Sequence, residues 1–222
     1  MEYLYETHMH TAEVSACALN SALRQVISYK KRGYTGIIIT DHFMNGYTRC
    51  PKDLSWEEKV KFTLKGYFEA KKAGDKYDLD VFLGWEFTIK GSDFLTYGLG
   101  MDFLLANPGV DKIGIEKYSA LVRKNDGYIA QAHPYRDEYY IENKYPVDPH
   151  LIDGIEVFNS EDRNTANAKA LEYAIKNDLP MQAGTDSHGR GNNNHSGIAL
   201  QFRAESIFDI INAIKSKQVR LL

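Results

Sequence analysis

Five of the seven histidines in this 222-residue chain directly follow short apolar runs. His8 and His10 come after residues 3–7. His42 follows Ile37-Ile38-Ile39-Thr40-Asp41, His133 follows Ile129-Ala130-Gln131-Ala132, and His188 follows Ala183-Gly184-Thr185-Asp186-Ser187. Two acids share this placement: Glu86 ends Val81-Phe82-Leu83-Gly84-Trp85, and Asp186 precedes His188. In extended backbone, residues i and i+2 point to the same side. His8 with His10, and Asp186 with His188, can therefore reach into one pocket and grip an ion. Asp41 and His42 are adjacent and should point apart, which favours His42 as a ligand and Asp41 as a hydrogen-bond partner that orients an imidazole. Neutral imidazole together with carboxylate suits Zn, Mn or Fe. No thiolate pair is present, which argues against a closed zinc–cysteine site. One buried histidine is ordinarily a satisfied core residue; five at strand ends, with two acids beside them, read as a metal constellation.

These side chains need a scaffold that collects strand ends. Strand candidates are 3–7, 36–40, 81–86, 94–98, 127–132, 154–158 and 180–183. They alternate with amphipathic segments, the α/β pattern. A first helix is expected over about 15–32, with Leu19, Leu23, Val26 and Ile27 on one face and Ser15 as its cap. A second starts at Ser55-Trp56-Glu57-Glu58, a capping box, with Val60, Leu64 and Tyr67 facing the core. Weaker helical patterns cover 111–124, 165–178 and 204–217. Strand followed by helix predicts parallel strands with helices outside, either a barrel or a doubly wound sheet. In a barrel, functional groups gather at the C-terminal mouth of the strands.

The length and the 43% hydrophobic content suit a single domain over residues 1–222. A net charge of −3 leaves no broad basic surface for duplex DNA or an anionic membrane. Met1-Glu2-Tyr3-Leu4-Tyr5-Glu6 does not read as a secretory signal, and no apolar run suggests a membrane span. Cys17 falls in the apolar helical pattern and Cys50 in a polar loop. Two cysteines make no disulfide framework, so a cytoplasmic protein with free thiols is expected.

The segments Glu6-Thr7-His8-Met9-His10-Thr11, Ile39-Thr40-Asp41-His42, Gly84-Trp85-Glu86, Ala132-His133-Pro134 and Gly184-Thr185-Asp186-Ser187-His188 resemble, in order, the motifs of the PHP (polymerase and histidinol phosphatase) family. They span residues 6 to 188. The resemblance implies a distorted (β/α)7 TIM-like barrel, two or three divalent metal ions and hydrolysis of phosphate esters. By the same resemblance, His8, His10, Glu86 and Asp186 hold one metal. Glu86 bridges to a second held by His133, and His42 and His188 hold a third. The sequence departs from the pattern twice. After the first motif the third site's remaining ligand falls to Glu13, with Ser15 a poor substitute. On the strand after Glu86, Leu95 stands where the family commonly has histidine or cysteine, with Asp93 two residues earlier on the same side.

The mechanism expected from this set is attack of a metal-bridging hydroxide on phosphorus, without a covalent intermediate. The leaving alkoxide needs a proton, for which Asp41, His195 and water are candidates. Arg136 and Arg163 are expected to contact the phosphate, because a guanidinium fork matches two of its oxygens. Arg190, after His188, is a weaker candidate. The expected partner is a small phosphorylated substrate such as a phosphomonoester, histidinol phosphate among them, with no extended nucleic acid and no membrane. Two other readings share the ligand set: a metallohydrolase cleaving C–N bonds on a related barrel, and a non-catalytic metal-binding module.

Overall fold

The computed structural model describes residues 1–139, 141–142, 144–189 and 195–222. Arg190 lies outside the described residues. Nine strands form one sheet, β7-β6-β5-β4-β3-β2-β1-β8-β9. They are β1 (Tyr3–Glu6), β2 (Gly36–Ile39), β3 (Asp80–Ile89), β4 (Ser92–Tyr97), β5 (Tyr128–Gln131), β6 (Gly154–Asn159), β7 (Met181–Gly184), β8 (Ile198–Leu200) and β9 (Arg220–Leu221). β1, β2 and β3 run parallel, as do β5, β6 and β7. The sheet nearly closes on itself where β7 returns to β1. There Met9 bridges Ser187, Thr7 Oγ1 donates to the Ala183 carbonyl at 2.7 Å, and Thr185 N–H donates to Glu6 Oε1 at 2.9 Å.

The seven sequence-derived strands are all present, but the chain is not a uniform strand–helix repeat. β4 is antiparallel to both neighbours, β3 and β5. No helix separates β3 from β4. They join through Lys90 and Gly91, both at positive φ (50° and 79°), as a tight hairpin turn requires. The alternation that marked 94–98 as a strand carried no information about its direction. β8 and β9 extend the sheet beyond β1 in antiparallel fashion and were not anticipated; each has at most three residues.

Helices cover the outside. They are α1 (Ala22–Lys31), α2 (Trp56–Thr63), α3 (Lys65–Tyr77), α4 (Met101–Ala106), α5 (Ile115–Lys124), α6 (Asn164–Lys176) and α7 (Ile207–Lys215). The Ser55–Glu58 capping box opens α2 as expected. The first helix is shorter than its periodicity suggested. It begins after Ser21, whose hydroxyl accepts from Arg24 N–H, and Leu19 and Leu23 are exposed rather than buried. Its buried face is Ala22, Gln25, Val26 and Tyr29. Residues 12–20 instead form a loop whose N–H groups bond to the loops around it: Ala16 to the Tyr47 carbonyl and Leu19 to the His188 carbonyl.

The barrel interior is apolar below the site. Tyr5, Ile38, Leu95, Tyr97, Tyr128 and Ala130 cluster with Ile210, Ile211 and Ile214 of α7. Gly98, just past the end of β4, lies where a Cβ would meet Ile211 Cδ1 at 3.0 Å. α7 therefore packs at the end of the barrel opposite the C-terminal ends of the parallel strands. No helix among the described residues is long and apolar enough to cross a membrane.

Candidate metal centre

β1 turns into the site at Thr7, and His8 and His10 project from the segment just beyond it. His8 Nδ1 lies 3.0 Å from Glu156 Oε1 on β6. A carboxylate can only accept, so Nδ1 carries the proton and Nε2 keeps its lone pair. His8 Nε2 then faces Glu86 Oε1 at 3.2 Å and Asp186 Oδ1 at 3.4 Å. His10 is held by the Ser15 hydroxyl, 3.1 Å from its Nδ1. That hydroxyl donates to Asp41 Oδ1 and also accepts the His42 N–H. With Ser15 as acceptor, His10 Nδ1 is the protonated nitrogen and Nε2 is free. It points at Asp186 Oδ1 (3.1 Å) and Glu86 Oε2 (3.4 Å).

Glu86, on β3, is the shared centre. Besides His8 and His10 it meets His133 Nε2 at 3.2 Å and His42 Nδ1 at 2.8 Å. Asp93, on β4, is held by Thr88 Oγ1 at 2.6 Å and lies 3.8 Å from His133 Nε2. His188 Nδ1 is 3.6 Å from Asp186 Oδ1. Both His133 and Asp186 have positive φ (28° and 54°), a sparsely populated conformation that surrounding structure must hold in place. At Gly184 a Cβ would lie 2.5 Å from His8 Cβ and 2.6 Å from Glu156 Oε1, so only glycine lets β7 approach β1 this closely.

Do these residues fit a metal ion? Two donors each about 2.1 Å from one cation lie roughly 3.0 Å apart at a right angle and roughly 3.4 Å apart at a tetrahedral angle. The contacts from His8 and His10 to Glu86 and Asp186, 3.1–3.4 Å, have that spacing. Three buried atoms in the cluster have no hydrogen-bond partner: His42 Nδ1, Glu86 Oε2 and Asp186 Oδ1. The 2.8 Å contact between His42 and Glu86 is thus close without being a hydrogen bond. Orphaned buried lone pairs turned toward one another are costly unless a cation satisfies them. The residues fit.

The acids and imidazoles hold one another's charge: against burial, nearby acids raise His8 and His42 well above the ordinary imidazole range and also raise His133 and His188. Burial raises the Glu86 carboxyl, but the His42 and His8 imidazoles outweigh it and hold it well below the ordinary carboxylate range. Asp186 is likewise held low against burial by His8, Arg136 and His188. His10 differs: burial, reinforced by His42, pushes it down to about 3, so it stays neutral and able to coordinate. Burial raises the Cys17 thiol, yet hydrogen bonds from His188 and His42 more than offset this.

Of the sequence candidates, the structure gathers His8, His10, His42, Glu86, His133, Asp186 and His188 into one cluster, with Asp93 at its edge. Glu13 is not among them. Its Oε2 accepts the Ala22 N–H at 2.9 Å and so caps α1. Because the chain does not become helical at Ser15, the loop turns Glu13 toward the start of α1 and turns Cys17 toward His10, His42 and His188. Leu95 is buried in the barrel core, directly opposite Glu86 in the register, and offers no donor. Asp41 is buried and engaged: Thr11 N–H, Thr11 Oγ1 and Ser15 Oγ all donate to it at 2.6 Å. His195 is exposed, its ring stacked over Tyr34 at 6.0 Å and 9° rather than in the cluster. Arg136 bonds Asp162 Oδ1 at 2.6 Å and Asp186 Oδ2 at 2.8 Å. Arg163 is exposed at the start of α6.

Two residues were missed. Glu156 accepts from His8 Nδ1, from His133 N–H at 3.1 Å and from Asn159 Nδ2 at 2.8 Å. A carboxylate inside the apolar strand Gly154-Ile155-Glu156-Val157-Phe158 was the available signal, the same one that marked Glu86. Cys17 had no such signal, because its position depends on how a loop folds. Two cavities flank Arg136, of about 500 and 690 Å³. The smaller is lined by Arg163, Lys169 and His188, and the larger by His42, Glu86, Asp93 and His133.

A scan against protein-family models and a search of curated proteins found no match. Solved structures do match. One is a two-domain protein containing a predicted PHP-like metal-dependent phosphoesterase from Bacteroides vulgatus. The likeness has a TM-score of 0.75 at 15% identity and covers 100% of this chain and 65% of that one. The chain thus spans somewhat less than two thirds of that protein's length. A proposed metal-dependent phosphoesterase from Bifidobacterium adolescentis matches with a TM-score of 0.58 at 16% identity, over 97% of this chain and 96% of that one. A lesion-specific endonuclease from Pyrococcus furiosus matches with a TM-score of 0.57 at 13% identity, over 100% of this chain and 58% of that one. The motif order in the sequence and the barrel that carries it lead to one conclusion: this chain has the fold of the PHP-like metal-dependent phosphoesterases.

Proposed function

We propose that this protein is a metal-dependent phosphoesterase acting on a small phosphomonoester, with two or three divalent ions of zinc, manganese or iron. The observation that carries the reading is the convergence of His8, His10, Glu86 and Asp186 donor atoms at coordination spacing. In this reading those four residues hold one cation. Glu86 is shared with a second, held also by His133 and Asp93, and His42 and His188 serve a third. When bound, such cations neutralise ester oxygens and make water a nucleophile near neutral pH. The chain's own groups do the positioning. Glu156 keeps the proton on His8 Nδ1, and Asp41, through Ser15, fixes His10. Arg136 screens Asp186 while keeping its side chain at the boundary of the two cavities. Arg163, which precedes α6, and Lys169, in its second turn, supply positive charge for an anionic substrate. Asp41 is enclosed by its three donors and His195 is stacked on Tyr34, so the leaving alkoxide takes its proton from water in this reading.

A second reading, cleavage of a phosphodiester, is favoured by the endonuclease among the fold neighbours. The test is phosphate release from p-nitrophenyl phosphate by the purified protein with Mn²⁺ or Zn²⁺, beside release of nitrophenol from bis-p-nitrophenyl phosphate and of ammonia from an amide panel. Turnover of the monoester, lost in His8→Ala and Asp186→Ala, is expected. Full activity after metal stripping in chelator refutes the proposal, diester-only turnover transfers it to the second reading, and ammonia release alone assigns C–N chemistry.

A further inference from the structure

The donors around His42 and His188 differ in kind from those around His8. One donor atom each from His10, Cys17, His42 and His188 lies within 4.8 Å of every other. Cys17 is half-buried in the loop between β1 and α1, and it borders both cavities, so this group is reached from solvent. A further buried atom beside the group lacks a hydrogen-bond partner: Asp186 Oδ1, 3.6 Å from His188 Nδ1, in a side chain only 2% exposed. His10 is already directed at Glu86 and Asp186, which leaves Cys17, His42 and His188 with donor atoms to share.

We propose that Cys17, bound as a thiolate, completes the third cation position with His42 and His188, making it a sulfur-and-nitrogen site at the rim of the centre. The proposal rests on reading the pocket as a metal centre and adds to it a donor and a metal preference. Thiolate and imidazole favour Zn²⁺, Co²⁺ or Fe²⁺ over Mn²⁺ or Mg²⁺, whereas the carboxylate-rich set around Glu86 accepts Mn²⁺. On binding, the Cys17 S–H bond is broken, the sulfur–metal bond forms and the proton leaves to solvent. The centre is then mixed: one part tolerant of hard cations, one part selecting a softer ion and open to thiol reagents.

The experiment is to load the full chain with Co²⁺, follow bound metal, and record the near-ultraviolet spectrum for a sulfur-to-cobalt charge-transfer band. The band is expected in the wild type and in Cys50→Ser, whose cysteine lies in another loop. It should be lost in Cys17→Ser together with one equivalent of bound cobalt. Cobalt bound by the wild type without the band overturns the proposal, as does a band of undiminished intensity in Cys17→Ser; the wild-type spectrum decides even if the variant folds poorly. Failure to bind any cobalt overturns both this proposal and the metal-centre reading. Phosphate release measured on the same samples separates the two: a band without hydrolysis keeps the thiolate position and removes the phosphoesterase reading, and hydrolysis without a band does the reverse.

Discussion

A hydroxyl group can donate one hydrogen bond and accept two, and the Ser15 side chain does all three: it donates to Asp41 and accepts from His10 Nδ1 and from His42 N–H. This single group fixes a tautomer, pins the loop after β1 to the end of β2, and leaves His10 Nε2 directed into the cluster. Glu156 does the equivalent for His8. Both are partners that orient a ligand and raise its basicity, and their loss typically costs about 10–100-fold in metal affinity. Glu156→Gln is therefore expected to weaken zinc binding in a chelator-competition titration by roughly that factor. Its melting temperature in the metal-stripped state should change little. An unchanged affinity would mean that His8 needs no partner. Asp93→Asn should selectively weaken one cation of the set, because Asp93 contacts His133 but not His8 or His10. Stepwise titration that still shows every binding event at wild-type affinity would exclude Asp93 as a donor.

At the scale of elements, the informative cases are those where a local pattern met a tertiary demand. The α1 periodicity was real from Ala22 onward, but the preceding residues form local turns and bond to neighbouring loops instead of making a helical ladder. Glu13 became a helix cap as a result. Its carboxylate interacts both with an orphan N–H and with the positive end of the helix. Glu13→Ala should lower stability by about 0.5–2 kcal/mol, the usual effect of removing a cap, while metal stoichiometry stays at the wild-type value. Loss of a bound cation in that variant would restore Glu13 as a ligand. The β3–β4 hairpin is a second case. A two-residue turn with positive φ at Lys90 and Gly91 sets the register that places Asp93 opposite Thr88 and Leu95 opposite Glu86. The buried leucine leaves the strand's donor one step nearer the mouth, at Asp93.

The whole molecule concentrates buried acids and imidazoles at one end of a barrel whose other end is apolar. Glu6, Glu86, Glu156 and Asp186 are all at most 1% exposed. Burying that many charges is tolerable only because hydrogen bonds, imidazoles and Arg136 surround them. A cation bound by the native state but not by the unfolded chain stabilises it through linkage, by about 4 kcal/mol at a free concentration 1,000 times its dissociation constant. Thermal unfolding with and without chelator should show a marked loss of melting temperature on metal removal. Asp186→Ala should be far less sensitive to the chelator. Equal melting temperatures for the wild type under both conditions would separate the cluster from metal binding.

Much of the centre was readable in the sequence, because strand-end placement of histidine and acid is a local property: short apolar runs name the strands, and a polar residue at their ends names the mouth. His8, His10, His42, Glu86, His133, Asp186 and His188 were found that way. Strand direction, the close return of β7 to β1 past Gly184, the turning of Glu13 to the start of α1 and of Cys17 to His42 and His188, and the support of His8 by Glu156 from 148 residues away were decided by tertiary structure alone. The physical reason is that periodicity reports which face a residue presents to its own element. Which distant donor meets which acceptor depends on how the whole sheet curls, and no window of sequence contains that.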